Sequence, residues 1–455
     1  MQVPSHTATR PLNPPGPRGL PVIGNLLQID TRNILQQYLD LRALHGDIFM
    51  LKLGPRNAYV LADPEAVYHV LVKNQKNYIK GVGYDGFRLL VGQGLVTSDG
   101  ELWRQQRRLM QPSFTPVATT RFFDMMVEVT QTLIERWQSP AEQGQTINMD
   151  AEMRRLTISV IGRAMFGVDL DKEQTEIGAA FQSAFQFVAH RSMGLPLPLG
   201  LPLPRHRQFR RDEALLEQFI AAKIAEGQAT PDSPTLLSLL LRARDEDSGA
   251  GMSQAQLRDE VVTLFFAGFE TTARSLTWAW YLVSQHPEVR ARLEQEATEV
   301  LGGRAPRLDD LYRLTYTRMV VDETLRLYPP TALLARDAMA DDELLGYRIP
   351  AGSSVFPMPY AVHRNPALWP EPDLFKPERF APEAEAARPK YAYIPFAAGS
   401  RVCLGNNFAL LEMVLALSMA SARYRIEQSP AQKITLGFSG TIVPDRPLTV
   451  RLTPR

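Results

Sequence analysis

Cysteine is almost absent from this sequence: Cys403 is the only one in 455 residues. One thiol cannot form an internal disulfide, a zinc site built on several thiolates, or an iron–sulfur cluster. A surplus of one charge is missing too, because 50 Lys and Arg face 49 Asp and Glu, a net charge of +1. Chains built to bind nucleic acid usually carry a clear basic excess, so a nucleic-acid partner is not expected. No apolar run approaches the ~20 residues that span a bilayer, and residues 1–10 lack the apolar core of a signal peptide. A soluble, cytoplasmic, monomeric protein without a membrane span is the expectation. No Gly-rich dinucleotide fingerprint occurs, so no nicotinamide or flavin domain is expected within the chain. What is present is apolar: 45% of the residues are hydrophobic. With no long linker and no internal repeat, a single domain over residues 1–455 is expected. Cys403 is then either a plain buried side chain or the ligand or nucleophile of the whole protein.

Periodicity gives a mainly α fold with small β-sheets near the two ends of the sequence. Pro14, Pro15 and Pro17 around Gly16 make a stiff, extended segment, read as an ordered surface arm. Residues 48–53 and 57–62 read as a hairpin, with Gly54-Pro55 as the turn. Beyond Asp63-Pro64 the period is helical to about residue 330. Short strand-like runs return between 340 and 360, and the last 25 residues alternate again. Ser253 and Gln256 form a plausible capping box for a helix running to His286. At 1.5 Å per residue that helix is roughly 50 Å long and must cross the core. Its buried stretch nevertheless holds Gly268, Glu270, Thr271 and Thr272. Glycine weakens a helix, and a buried carboxylate is costly without a partner. Local rules broken in the middle of a core often mark function. Residues 194–204, with four prolines among leucines, are either a packed apolar loop or a mobile lid.

Around the cysteine the sequence is Phe396-Ala397-Ala398-Gly399-Ser400-Arg401-Val402-Cys403-Leu404-Gly405. Strong helical character follows from Asn406. The cysteine therefore sits in a glycine-bracketed loop at a helix start, where backbone donors favour a thiolate. Gly399 permits positive φ, Gly405 lets a flat ligand approach the backbone, and Arg401 can balance an anionic group.

This run resembles the haem-ligand signature of the cytochrome P450 family, Phe-x-x-Gly-x-Arg-x-Cys-x-Gly, at every fixed position. The resemblance implies the cytochrome P450 fold, a haem b cofactor, and Cys403 as the axial thiolate of its iron. P450s are also the standard example of this ligation. Glu323-x-x-Arg326 matches the family's Glu-x-x-Arg. That pattern also starts at Glu101, Glu152 and Glu385. Only the copy at Glu323 is followed by Tyr328-Pro329-Pro330 and lies upstream of Pro377-Glu378-Arg379-Phe380. The resemblance gives Glu323, Arg326 and Arg379 a buried structural role. It makes Trp103, Arg107, Arg336 and Arg401 propionate ligands, and places Phe396, Ala267, Gly268 and Gly405 against the haem. His363 is read as structural.

Ala267-Gly268-Phe269-Glu270-Thr271-Thr272 is similar to the family's acid–threonine segment. It implies that Thr271 hydrogen-bonds bound oxygen and Glu270 relays protons, as O–O cleavage requires. The competing reading is a hydroxyl bonded to its own i−4 carbonyl, stronger for Thr272 than for Thr271. The acid–threonine pair favours a monooxygenase that inserts one atom of O₂ over a peroxygenase or isomerase, or a non-catalytic haem or lipid binder.

By the same resemblance, Phe87, Leu95, Val96, Leu333 and Phe438 line the substrate pocket, with Phe185, Phe187 and Met193 from the lid region. A lipophilic substrate is expected: a fatty acid, terpene or steroid. With no second redox centre in the chain, electrons come from an external ferredoxin or flavodoxin with its reductase. Arg104, Arg108, Arg388 and Lys390 are the expected basic docking patch.

Overall fold

The computed structural model describes residues 12–170, 175–193, 197–247 and 249–455. The polar N-terminal residues 1–10, the Met193 side chain and residues 194–196 lie outside them. The chain forms two compact units.

One unit holds residues up to 82 together with 333–370 and 389–402. Its centre is a five-stranded sheet. The hairpin of β1 (Ile48–Leu53) and β2 (Arg56–Leu61) pairs antiparallel from Ile48↔Leu61 to Leu53↔Arg56. Gly54 makes the turn with φ +61°. The sheet also contains β3 (Tyr78–Ile79), β4 (Arg336–Ala338) and β5 (Ser354–Pro357), in the order β1-β2-β5-β4-β3. Tyr59, Leu61, Val70, Leu71, Tyr78, Val355 and Ile394 build the core against it. The proline-rich arm is ordered as expected. Met50 N donates to Pro15 O at 2.8 Å, and a Cβ on Gly16 would stand 2.0 Å from the Met50 carbonyl. Only glycine lets the arm lie that flat on β1.

The other unit is helical: α1 (Gly100–Met110), α2 (Met149–Phe166), α3 (Thr175–Met193), α4 (Pro204–Ala229), α5 (Gln254–Gln285), α6 (Thr315–Leu327) and α7 (Asn406–Arg423) are its main elements. The long helix α5 has the expected capping box, with Ser253 and Gln256 each satisfying the other's backbone amide. Val261, Phe265, Phe269 and Leu276 are buried along it, and α2 is its main packing partner. Small sheets carry the late alternation: 146–148, 424–428 and 449–454 in one, 436–438 with 442–444 in another. The stretch 197–203 is not helical, and Leu197, Leu201 and Leu203 are exposed. It is not the packed apolar loop that was one of its two readings. Among the described residues no helix is long and apolar enough to cross a membrane.

Candidate functional site

The loop that leads into the cysteine is held by backbone geometry. Ala397 and Gly399 both take left-handed φ, +60° and +72°. A Cβ on Gly399 would lie 2.1 Å from the Leu71 carbonyl oxygen, so only glycine fits. Ser400 hydrogen-bonds Gln75. The ring of fully buried His363 accepts from Ile394 N at 2.9 Å, which fits its structural reading. Arg336, buried on β4, donates to Ala335 O at 2.7 Å, and Phe396 and Arg401 are half-buried.

Cys403 belongs to the helical unit and stands just ahead of α7, for which Gly405 is the N-cap. Burial pushes its thiol up, while the Gly405 amide and the Arg107 guanidinium pull it down. Arg107 feels the reverse: burial pushes it down and Cys403 raises it. The thiol still keeps accessible surface, so it sits in a recess rather than in solid core. Arg107 reaches that recess from α1, and Trp103 lies one turn earlier on the same helix face. Among the described residues no group of three or more His, Cys, Asp or Glu could hold a bare metal ion. A metal at Cys403 must therefore bring its other ligands with it, as haem iron does. A thiol in a recess, an amide aimed at it and a guanidinium close by suit a thiolate-ligated haem with anionic side groups.

On α5, Ala267 and Thr271 share one face. The Thr271 hydroxyl donates to the Ala267 carbonyl at 2.6 Å. The local bond expected mainly of Thr272 is thus made by Thr271, because its i−4 carbonyl lies within reach. Its oxygen lone pairs can still accept. A Cβ on Gly268 would meet Ile161 Cδ1 at 3.0 Å, so the bare backbone there lets α5 pack closely on α2. Glu270 is 3% exposed, and its Oε1 accepts from Arg274 Nε at 2.7 Å. Arg274 also donates to Asp150 Oδ1 at 2.6 Å. Glu270 Oε2 is buried with no hydrogen-bond partner. Sequence reasoning missed Arg274 and Asp150. The i,i+4 Glu–Arg spacing signals the first; the second comes from another helix and leaves no local trace.

The three structural residues are brought together. Arg326 donates to both oxygens of Glu323, at 2.6 and 2.8 Å, and Arg379 Nε lies 3.4 Å from Oε1. Lys376 N adds a bond of 2.9 Å to Oε1.

An aromatic cluster forms beside α5. Phe185 lies 4.5 Å from Phe266 and 6.1 Å from Phe87 between ring centroids, and Phe87 lies 6.3 Å from Phe266. A Cβ on Gly440 would meet Ala189 and Phe185, which brings the turn after Phe438 to the same cluster. Phe266 was missed, because an apolar residue on a core helix gives no sequence signal of its own. Leu95 is buried, with its amide donating to Glu260 Oε2 at 3.0 Å, and Val96 is half-buried. One assignment differs. Phe187 stacks on Phe209 at 4.4 Å and packs α3 on α4 instead of joining the cluster. Leu333 falls in the sheet-bearing unit. The expected basic patch is partly neutralised: Arg104 pairs with Glu101 at 2.9 Å, and Arg108 with Asp245 and Asp247 at 2.9 and 3.0 Å.

The family model for cytochrome P450 matches residues 14–451. Cyclooctatin synthase of Streptomyces melanosporofaciens is 38% identical over 425 residues, covering 92% of this chain and 91% of that protein. Pentalenene oxygenase of Streptomyces avermitilis is 32% identical, covering 96% and 97%. The crystal structure of the cytochrome P450DA heme domain superposes with a TM-score of 0.90 at 28% identity, covering 98% of this chain and 99% of that one. Sequence match, fold and the recessed thiol agree: this chain belongs to the cytochrome P450 family and is a haem-dependent monooxygenase.

Proposed function

We propose that the enzyme oxygenates a terpenoid carbon skeleton. One oxygen atom enters the substrate and the other leaves as water, with two electrons and two protons consumed. The observation that carries this reading is the Phe87–Phe185–Phe266 cluster. Aromatic faces bury large apolar surface and fit a rigid hydrocarbon better than a polar metabolite. The relatives support it: besides the two above, cyclooctat-9-en-7-ol 5-monooxygenase of Streptomyces melanosporofaciens is 35% identical. Spectral titration of the ferric enzyme tests it. Cyclic terpenoids should bind more tightly than fatty acids of equal carbon number; tight binding of small polar compounds alone would overturn it.

Haem supplies the oxygen activation. Cys403 would hold its iron, with the Gly405 amide stabilising the sulfur. Trp103, Arg107, Arg336 and Arg401 would hold the propionates, their planar forks suiting carboxylates. Phe396 and Ala267 would pack against it. Thr271 would position bound oxygen and Glu270 would deliver protons beside it. Cys403→Ser should abolish the thiolate-type band of the reduced carbonyl complex. The whole chain would act as one haem domain in the cytoplasm. An external ferredoxin or flavodoxin with its reductase would supply the electrons. Arg104, Arg108, Arg388 and Lys390 would form the basic docking surface, and turnover should fall as salt rises.

A further inference from the structure

Nothing in the oxygenation chemistry uses the leucine–proline stretch ahead of α4. It lies in a segment of one-sided charge. Between Glu176 and Asp212 there is no Asp or Glu, yet Arg191, Arg205, Arg207, Arg210 and Arg211 all fall there, in a chain whose net charge is only +1. The last four are exposed in the opening turns of α4, and none of them forms a salt bridge among the described residues. The acids that follow are engaged elsewhere. Asp212 is buried and accepts from Gln208, Glu217 pairs with Arg258, and Glu226 pairs with Lys223. Glu213 feels Arg210 without a salt bridge to it. The loop itself has its backbone satisfied from within. Pro198, Pro202 and Pro204 have no N–H to pair. The carbonyls of Leu197, Leu199 and Leu201 each accept from a basic side chain: from Arg191, from Arg210 Nη2 at 2.5 Å and from His206 Nδ1 at 3.2 Å. Leu201 N donates to Pro198 O at 3.1 Å, and Leu203 N to Leu201 O at 2.8 Å. A loop bathed in water needs none of these bonds, whereas a loop that leaves water needs them all. The side chains of Leu197, Leu201 and Leu203 are nevertheless exposed.

We propose that residues 197–211 form a peripheral docking surface for an anionic lipid bilayer. Leu197, Leu201 and Leu203 enter the headgroup region, where the internal hydrogen bonds of the loop stay intact. Arg205, Arg207, Arg210 and Arg211 pair with the lipid phosphates, which suit a planar guanidinium fork. Leucines alone or arginines alone would not single out a bilayer; the two together do. A second copy of the chain would set arginine against arginine. A bilayer places apolar depth directly behind a layer of phosphate charge. The association lies on the membrane surface and is reversible, with no segment spanning it. A lipophilic substrate dissolved in the bilayer would meet the enzyme there, but the docking does not depend on what the substrate is.

The experiment measures binding of the haem-loaded full chain to vesicles by flotation at low ionic strength. Vesicles of equimolar phosphatidylcholine and phosphatidylglycerol should bind it, and vesicles of phosphatidylcholine alone roughly a hundredfold less. Added salt should release it. Arg207→Gln/Arg211→Gln should weaken binding to the mixed vesicles about twentyfold, close to fivefold per arginine. Leu197→Ser/Leu201→Ser should weaken it about tenfold or more through the lost apolar burial. Val117→Ser, which removes an exposed apolar side chain from another segment, should change nothing. A parent protein that stays free of the mixed vesicles, or binds both kinds equally, would overturn the proposal. So would a leucine variant that binds like the parent, because the arginines would then be a plain cationic patch. A dimer in lipid-free solution that the leucine variant dissolves would assign the loop to a second copy and overturn it as well. Thermal unfolding checks each variant, and if the leucine pair fails to fold, Leu197→Ser alone decides in its place.

Discussion

Glu323 on α6 and Glu270 on α5 are both buried glutamates facing an arginine on their own helix, and they are treated in opposite ways. Glu323 is closed on every side, by Arg326, Arg379 and the Lys376 amide. Arg326 is closed too, with its remaining donors on Pro372 O at 2.7 Å and Leu374 O at 3.1 Å. Glu270 has one oxygen on Arg274 and one open. A third buried glutamate, Glu412 on α7, has an unpartnered Oε1, and burial pushes its carboxyl well above the usual carboxylate range. The same side chain thus stands in three settings: fully closed by donors, half-held, and buried with its proton affinity raised. The number of donors around it decides which.

The largest effect should come from the locked network. Glu323→Gln leaves two buried guanidinium groups without their anion and should cost about 3–5 kcal/mol. Denaturant unfolding of the holoenzyme measures it, and a loss near zero would erase the contrast with Glu270. Glu270→Gln should cost much less stability, about 1–2 kcal/mol, because Arg274 keeps Asp150; its damage belongs in coupling. Equal stability losses at the two sites would mean that both networks are structural. Glu412→Gln should be neutral or slightly stabilising at pH 7. The folded state raises the affinity of Glu412 for its proton. Its contribution is therefore complete below the ordinary glutamate range and is lost as pH rises through the higher folded value. Unfolding curves from pH 4 to 8 should flatten in the Gln variant; an unchanged slope would show that Glu412 does not titrate with folding. The smallest effect lies at the rim of the fold. Hydrogen bonds from Arg304 hold the Asp310 carboxyl down to about 2. That contribution is present above the ordinary aspartate range and disappears as pH falls toward 2, so in unfolding curves Asp310→Asn should be slightly less stable near neutral pH and match the parent near pH 2; equal stability near neutral pH would show that the pair contributes nothing.

The haem signature could be read directly because its reasons are local. Positive φ at Gly399, a helix start after Gly405 and a thiol between them all follow from residues near one another in the chain. The capping box of α5 is equally local. Glu-x-x-Arg was ambiguous until neighbouring motifs fixed its position. Gly268 shows where such reading stops: nothing near it in the chain reveals that Ile161 on α2 closes on it at 3.0 Å from a would-be Cβ.

By itself the sequence determined the family, the helical class and the residues of the closed network, because each lies in a short motif whose spacing carries its own physics. The tertiary structure alone decided which of those residues are paired. Asp150 reaches Arg274 across 124 residues, Phe87 and Phe185 meet Phe266 from separate elements, and carboxylates neutralise Arg104 and Arg108. A charge or a ring acquires its role from what faces it, and in a chain of this length most of what faces a residue comes from far along the sequence.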